Sequence, residues 1–298
     1  MVFSVDQILI LKNAYFNKQN MTEIIFGWGY KIDVSMISFL YEMQAGSYSN
    51  WFDNNAQEFE NFGDEVASVM RKYVTSGMTI VDCGTGEATS LIAILKHLTF
   101  RQVLAIDASY SRLTWAIKNA SAHSQVIDFA VADMANIPLM SESVDCALTI
   151  HAIEPNGGDE VQLLHELGRV VRQFLFLVEP DYLGGSPAQK ERMQKLGFIT
   201  GLDLAIHESE FELLEKIPIF YNSVPENRAA LYVLKKPNSK LIELPHLPLF
   251  WVDPVHHLEL RPFNGNGLTN GIGLWFPMIR NIPFLKISDF QYVLNPFL

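Results

Sequence analysis

Met78-Thr-Ile-Val-Asp-Cys-Gly-Thr-Gly-Glu-Ala-Thr89 decides how this chain is read. An apolar run closed by an acid and two glycines predicts a buried strand turning into a ligand-binding loop. Ile80 and Val81 suit a parallel strand, while Gly84 and Gly86 let the backbone approach a ligand that a Cβ would exclude. A helix is expected from near Thr89. The fragment alone is not specific, because Gly-x-Gly after apolar residues also occurs in ordinary turns.

The continuation adds weight. Leu91, Ile94, Leu95 and Leu98 fall on one face of a helix expected over Ser90 to Leu98, and a second apolar strand, Gln102 to Asp107, follows. Asp107 stands 21 positions after Gly86, close to the offset at which a second-strand carboxylate meets ribose hydroxyls. A third strand, Ile127 to Asp133, also closes on an acid, and a fourth is expected over Ser143 to His151. In a doubly wound sheet, ligands bind beyond the carboxyl ends of the strands, so Asp82, Asp107 and Asp133 are expected to ring one crevice.

That crevice could hold NAD or S-adenosylmethionine. The residues lean against NAD, since Thr89 stands where a third glycine would pack helix on strand, and an acid precedes the first glycine. A carboxylate there suits a cation better than a phosphate.

Asp82-Cys-Gly-Thr-Gly-Glu-Ala-Thr89, Asp107-Ala-Ser109, Ala132-Asp133 and Ile137-Pro-Leu-Met-Ser-Glu-Ser-Val-Asp145, in that order, resemble the motifs of class I S-adenosylmethionine-dependent methyltransferases, in the branch that includes the quinone-ring methyltransferases. The resemblance covers about residues 65 to 238. It implies a Rossmann-like α/β fold, a seven-stranded sheet with helices on both faces and an antiparallel closing strand, here Arg228 to Lys236. It also implies that Gly84 and Gly86 line the methionine moiety, that Asp107 holds the ribose, that Ala108 is a further cofactor-binding residue, and that Asp133 with Met134 flanks the adenine. Cys83 departs from the aliphatic residue of many relatives and reads as packing.

Composition is consistent with an enzyme of this kind. The 298 residues are 49% hydrophobic, enough to bury a large core. No apolar run reaches the roughly 18 residues of a membrane span, and the N-terminus lacks signal-peptide features, so a cytoplasmic protein is expected. Cys83 and Cys146 read as buried reduced thiols. A net charge of −11, with no basic cluster beyond Lys235-Lys236, lacks the footprint of tight nucleic-acid binding.

Three segments follow. Residues 1 to 64 are expected to form a helical lid, with Gln44 and Tyr48, around Gly46, as candidates to cover the methionine end of the cofactor; their aromatics could equally be packing. Residues 65 to 238 would be the cofactor-binding domain, with further elements over the helix after Asp159, the strand Gln173 to Pro180 and the helix Pro187 to Leu196. Residues 239 to 298, rich in Pro, Asn and Gly from Pro245 and Pro248 to Gly273, predict short strands and turns. Gly273 to Leu285 weakly resembles the closing hairpin of zinc-ribbon methyltransferase activators, yet no cysteine follows Cys146, and His256-His257 on a strand would point to opposite faces. A metal-free β appendage is expected, with Trp275, Phe276, Ile279, Ile282 and Phe284 as its local core.

Methyl transfer from a sulfonium has an activated leaving group, so alignment and charge placement can supply most of the acceleration. His151 and Glu154 after the fourth strand, and Glu179, Asp181 and Tyr182 around the end of the fifth, are expected to face the acceptor. His151 is the acid/base candidate; a histidine merely hydrogen-bonded at a strand end is the competing reading. The function expected is methyl transfer to a small-molecule acceptor. An RNA or protein acceptor, or a non-catalytic cofactor-binding scaffold, are the alternatives.

Overall fold

The computed structural model describes residues 3–17, 19, 21–30, 34–221, 227–237 and 249–293. The expected boundary at 238, and Pro245 and Pro248, lie outside them. The chain begins with five helices, α1 (Val5–Phe16), α2 (Met21–Gly27), α3 (Val34–Gln44), α4 (Ser47–Asn54) and α5 (Ala56–Met70). Ser4 and Gln7 form a reciprocal capping box at α1. Leu11, Ala14, Met21, Ile25, Met36 and Leu40 give the first three helices a small core of their own.

Beyond α5 the chain alternates strand and helix: β1 (Thr79–Cys83), α6 (Thr89–Leu95), β2 (Gln102–Asp107), α7 (Tyr110–Ala120), β3 (Ile127–Val131), β4 (Val144–Ile150), α8 (Glu160–Val170), β5 (Val171–Pro180), α9 (Pro187–Leu196), α10 (Leu202–Glu208), β6 (Glu212–Pro218) and β7 (Ala229–Lys235). The strands form a seven-stranded sheet in the order β3-β2-β1-β4-β5-β7-β6. β7 alone runs opposite to the other six, pairing antiparallel with both β5 and β6. The central strands are apolar on both faces, as a sheet covered on both sides requires. Val81, Leu104, Ala147 and Leu175 belong to one core, while Ile80, Val103, Cys146 and Phe176 belong to the other.

Several boundaries differ from the sequence expectation. α6 stops at Leu95 and not Leu98, although Leu98 stays buried. β3 stops at Val131, which leaves Asp133 in the following turn, and β4 stops at Ile150, which leaves His151 outside it at φ +52°. β5 starts at Val171, directly from α8.

The C-terminal strands β8 (Arg261–Phe263), β9 (Gly267–Thr269), β10 (Leu274–Ile279), β11 (Ile282–Pro283) and β12 (Gln291–Tyr292) make a second, antiparallel sheet. It is joined to the first. Phe284 bridges Val131 in parallel and the Leu285 N–H donates to the Val131 carbonyl at 2.7 Å, so the segment covers the exposed edge at β3. Leu274, Phe276 and Leu285 share a core with Ala130, Ile137 and Leu139, and Ile282 enters the core on the other face. Ile279 departs from its expected core role, being 46% exposed near the tip where β10 meets β11. His256 and His257 sit in a turn, not on a strand. That turn is organised by the fully buried Asp253, whose carboxylate accepts the N–H groups of Val255, His256 and Leu258 and the Asn270 amide. Among the described residues no helix is long and apolar enough to cross a membrane.

Candidate active site

The loop after β1 is shaped for close approach. Gly84 adopts φ +79°, and a Cβ there would fall 2.4 Å from the Ala152 Cβ. Gly86 also has positive φ. Its N–H donates to Asp107 Oδ2 at 2.8 Å and the Ser109 N–H donates to Oδ1 at 2.8 Å, which fixes the carboxylate at the end of β2. Burial raises the Asp107 pKa above its ordinary value, against the opposing pull of the Ser109 N–H, the Arg112 charge and the Gly86 N–H. Together with Ala108, Asp133 and Met134, these residues line a cavity of about 400 Å³ at the carboxyl ends of the strands.

Tyr41 and Tyr48 also line this cavity. Their rings flank the guanidinium of Arg112, with its carbon 4.1 Å and 4.9 Å from the two ring centres. The segment is anchored by Glu87 of the glycine loop, whose carboxylate accepts the N–H groups of Gly46 at 2.8 Å and Ser49 at 2.6 Å, at the start of α4. The start of α4 is therefore tied directly to the glycine loop.

His151 sits where β4 ends. Its Nδ1 lies 2.6 Å from Glu154 Oε2, and the Asn227 amide donates to Glu154 Oε1 at 3.0 Å. Arg192 in turn donates to the Asn227 carbonyl oxygen at 3.0 Å. Glu179 accepts the N–H groups of Ala152, Ile153 and Glu154, so it shapes the loop from beneath. Burial pushes Glu179 up to about 7, opposed by His151 and the Ile153 N–H. For His151 burial pulls down, but Glu154's charge and hydrogen bond and Glu179's charge outweigh it, so its pKa is raised.

A second cavity, of about 310 Å³, adjoins the first and shares Tyr48, Ser90, Ile150 and His151 with it. Its remaining lining is Trp51, Phe59, Phe62, Phe220 and Tyr221, with the exposed Glu58, and no Lys or Arg lines it among the described residues.

Of the residues singled out from sequence, the structure brings Tyr48, Gly84, Gly86, Asp107, Ala108, Asp133, Met134 and His151 to the first cavity. Asp82 does not line it. One residue before the end of β1, its side chain is buried, and burial pushes its pKa up to about 7. Gln44, at the end of α3, does not line it either. Asp181 pairs with Lys216, and the Tyr182 hydroxyl bonds Gln194, so both are engaged away from the cavities. Cys83 and Cys146 are buried and free. Sequence reasoning missed Glu87, Arg112, Arg192 and Asn227 as wall or anchor residues. Arg112 alone left a signal, a charged residue in register with the buried Leu113 and Ala116 of α7.

A comparison with curated proteins by sequence finds no match. Among solved structures, magnesium protoporphyrin IX methyltransferase from Synechocystis PCC 6803 with bound S-adenosylhomocysteine is similar at a TM-score of 0.53 and 12% identity, over 68% of this chain and 100% of that one. The same enzyme with bound S-adenosylmethionine gives 0.51 at 12% identity, over 70% and 98%. A complex of the Haloferax volcanii Trm112 methyltransferase activator with a methyltransferase gives 0.48 at 17% identity, over 62% and 96%. At these identities the likeness is one of fold. Residues 80–173, from β1 into β5, match the family model described as a methyltransferase domain.

Proposed function

We propose that the protein is an S-adenosylmethionine-dependent methyltransferase acting on a small molecule. The observation that carries this reading is the meeting of two cavities at His151, one walled by the glycine loop and strand-end acids, the other by aromatic rings. The first fits the cofactor: Gly84 and Gly86, both at positive φ, line it together with the strand-end acids Asp107 and Asp133. Asp107 and Ala108 would hold the ribose, Asp133 and Met134 the adenine, and Gly84, Gly86 and Tyr48 the methionine arm. Asp82 and Gln44 would act behind this wall, not as contacts. Bound there, S-adenosylmethionine supplies an electrophilic methyl group whose leaving group is a neutral thioether.

The second cavity would take the acceptor. Its volume is at the small end of ligand sites and its wall is largely aromatic. With no Lys or Arg in that wall among the described residues, it offers no fixed cation for a phosphate or carboxylate. An uncharged, ring-bearing acceptor suits it. With Nδ1 held by Glu154, the Nε2 of His151 is left to take the proton from an acceptor hydroxyl as its oxygen forms the bond to the methyl carbon. The adjoining walls would align the two partners.

Thermal shift tests the reading. A ligand bound only by the folded state at a hundred times its dissociation constant adds about 2.7 kcal/mol, so S-adenosylmethionine and S-adenosylhomocysteine should raise the melting temperature and NAD should not. Stabilisation by NAD alone would refute the assignment.

A further inference from the structure

The carboxylate that holds His151 belongs to a longer chain of hydrogen bonds. Asn227, buried just before β7, donates its amide N–H groups to Glu154 Oε1 at 3.0 Å and Oε2 at 3.3 Å. On its other side the Asn227 carbonyl oxygen accepts from Nη1 of Arg192, a residue of α9, at 3.0 Å. The Arg192 guanidinium lies over the Phe198 ring, its carbon 5.2 Å from the ring centre. This chain has a direction. Guanidinium only donates, so the Asn227 oxygen belongs against Arg192 and the amide nitrogen against Glu154. The reversed amide would set donor against donor at one end and acceptor against acceptor at the other. Donation to a carboxylate favours its ionised form, and an ionised Glu154 can only accept from Nδ1 of His151, 2.6 Å away.

Resting on the reading of His151 as the base, we propose that Arg192 and Asn227 are positioning residues, a relay of fixed polarity that keeps Glu154 an acceptor toward Nδ1 and so leaves Nε2 of His151 to take the proton. The relay also tempers that base. Glu154 and Glu179 favour the imidazolium and Arg192 opposes it, while Tyr41 lines the first cavity with His151 and Glu58 the second. A Glu154 that accepts from Asn227 is less basic, so the pair holds its shared proton less tightly. His151 is then free at a lower pH than it would be beside an unsupported carboxylate.

NMR titration of the His151 imidazole, followed at both ring nitrogens, tests this without an acceptor. In the wild type the neutral ring should carry its proton on Nδ1. Asn227→Leu keeps the Arg192 charge but removes the donation to Glu154, so the midpoint should move up by about one pH unit, a tenfold change in proton affinity. Arg192→Met, which frees the amide to turn, should move it at least as far in the same direction. An Asn227→Leu midpoint that is unchanged or lowered would overturn the relay while leaving the base reading in place. A wild type whose neutral ring carries the proton on Nε2 would instead sink the base reading, and the relay with it. Should Asn227→Leu not fold, Arg192→Gln takes its place, because it can still donate without the charge. A smaller shift than in Arg192→Met supports the relay, and an equal one shows that Arg192 acts by charge alone and overturns it.

Discussion

The Nδ1 of His151 lies 2.6 Å from Oε2 of Glu154, three residues on, and the backbone of His151 adopts a left-handed conformation to make the pair. Such backbone is held in place by its surroundings. Here the His151 N–H donates to the Val178 carbonyl and Glu179 gathers the next three amides. Because the pair raises the His151 pKa, the free base predominates only on the alkaline side of the ordinary value of about 6.5. Methyl transfer should therefore rise with pH through that raised value. Glu154→Gln removes the charge and should bring the His151 pKa down, as read by NMR titration of the imidazole. An unchanged titration would show that Glu154 does not govern it.

Stability should fall as the solution is made alkaline. Asp82 and Glu179 both titrate near about 7 in the fold, against roughly 4 in the unfolded chain. Their folded values are raised, so their stabilising contribution is complete below the unfolded values and is lost as pH rises through about 7. His151 acts in the same direction at higher pH. Each group gives a slope of about 1.4 kcal/mol per pH unit between its two values. Melting temperature should decline from about pH 5 to 8, and Asp82→Asn, which removes one of the two titrating groups, should flatten that decline. A melting temperature that rises over this range would contradict it.

In the C-terminal segment, Asp253 does with backbone N–H groups what a structural metal does in a ribbon. Asp253→Ala would leave three backbone N–H groups of the turn without their acceptor, costing about 2 kcal/mol or more. Chemical denaturation should report that loss, and a chelator should leave the wild-type melting temperature unchanged. A chelator-sensitive melt would reveal a metal contribution.

Local pattern carried the central sheet. The apolar runs, the glycines and the strand-end acids repeat at spacings a sequence displays, and Asp107 stands where its offset from Gly86 placed it. An acid closing an apolar run looks the same in sequence whether its side chain faces a crevice or is buried away from the cavity lining, as that of Asp82 is. Asn227 and His151 are 76 positions apart, and Phe284 meets Val131 across an even longer stretch, so neither pairing leaves a periodic trace. Glu87 was quoted as part of the loop, yet its partners at Gly46 and Ser49 belong to a different helix and could be seen only in three dimensions.

Asp107 tests the central claim most directly. If the first cavity binds S-adenosylmethionine through its ribose, replacing this carboxylate with Ala removes charge-assisted hydrogen bonds worth about 1.5 to 3 kcal/mol each. Calorimetric titration of folded Asp107→Ala with S-adenosylhomocysteine should then show affinity reduced about tenfold or more, with Asp107→Asn milder. Unchanged affinity in Asp107→Ala, or a wild type that does not bind S-adenosylhomocysteine at all, would contradict the account.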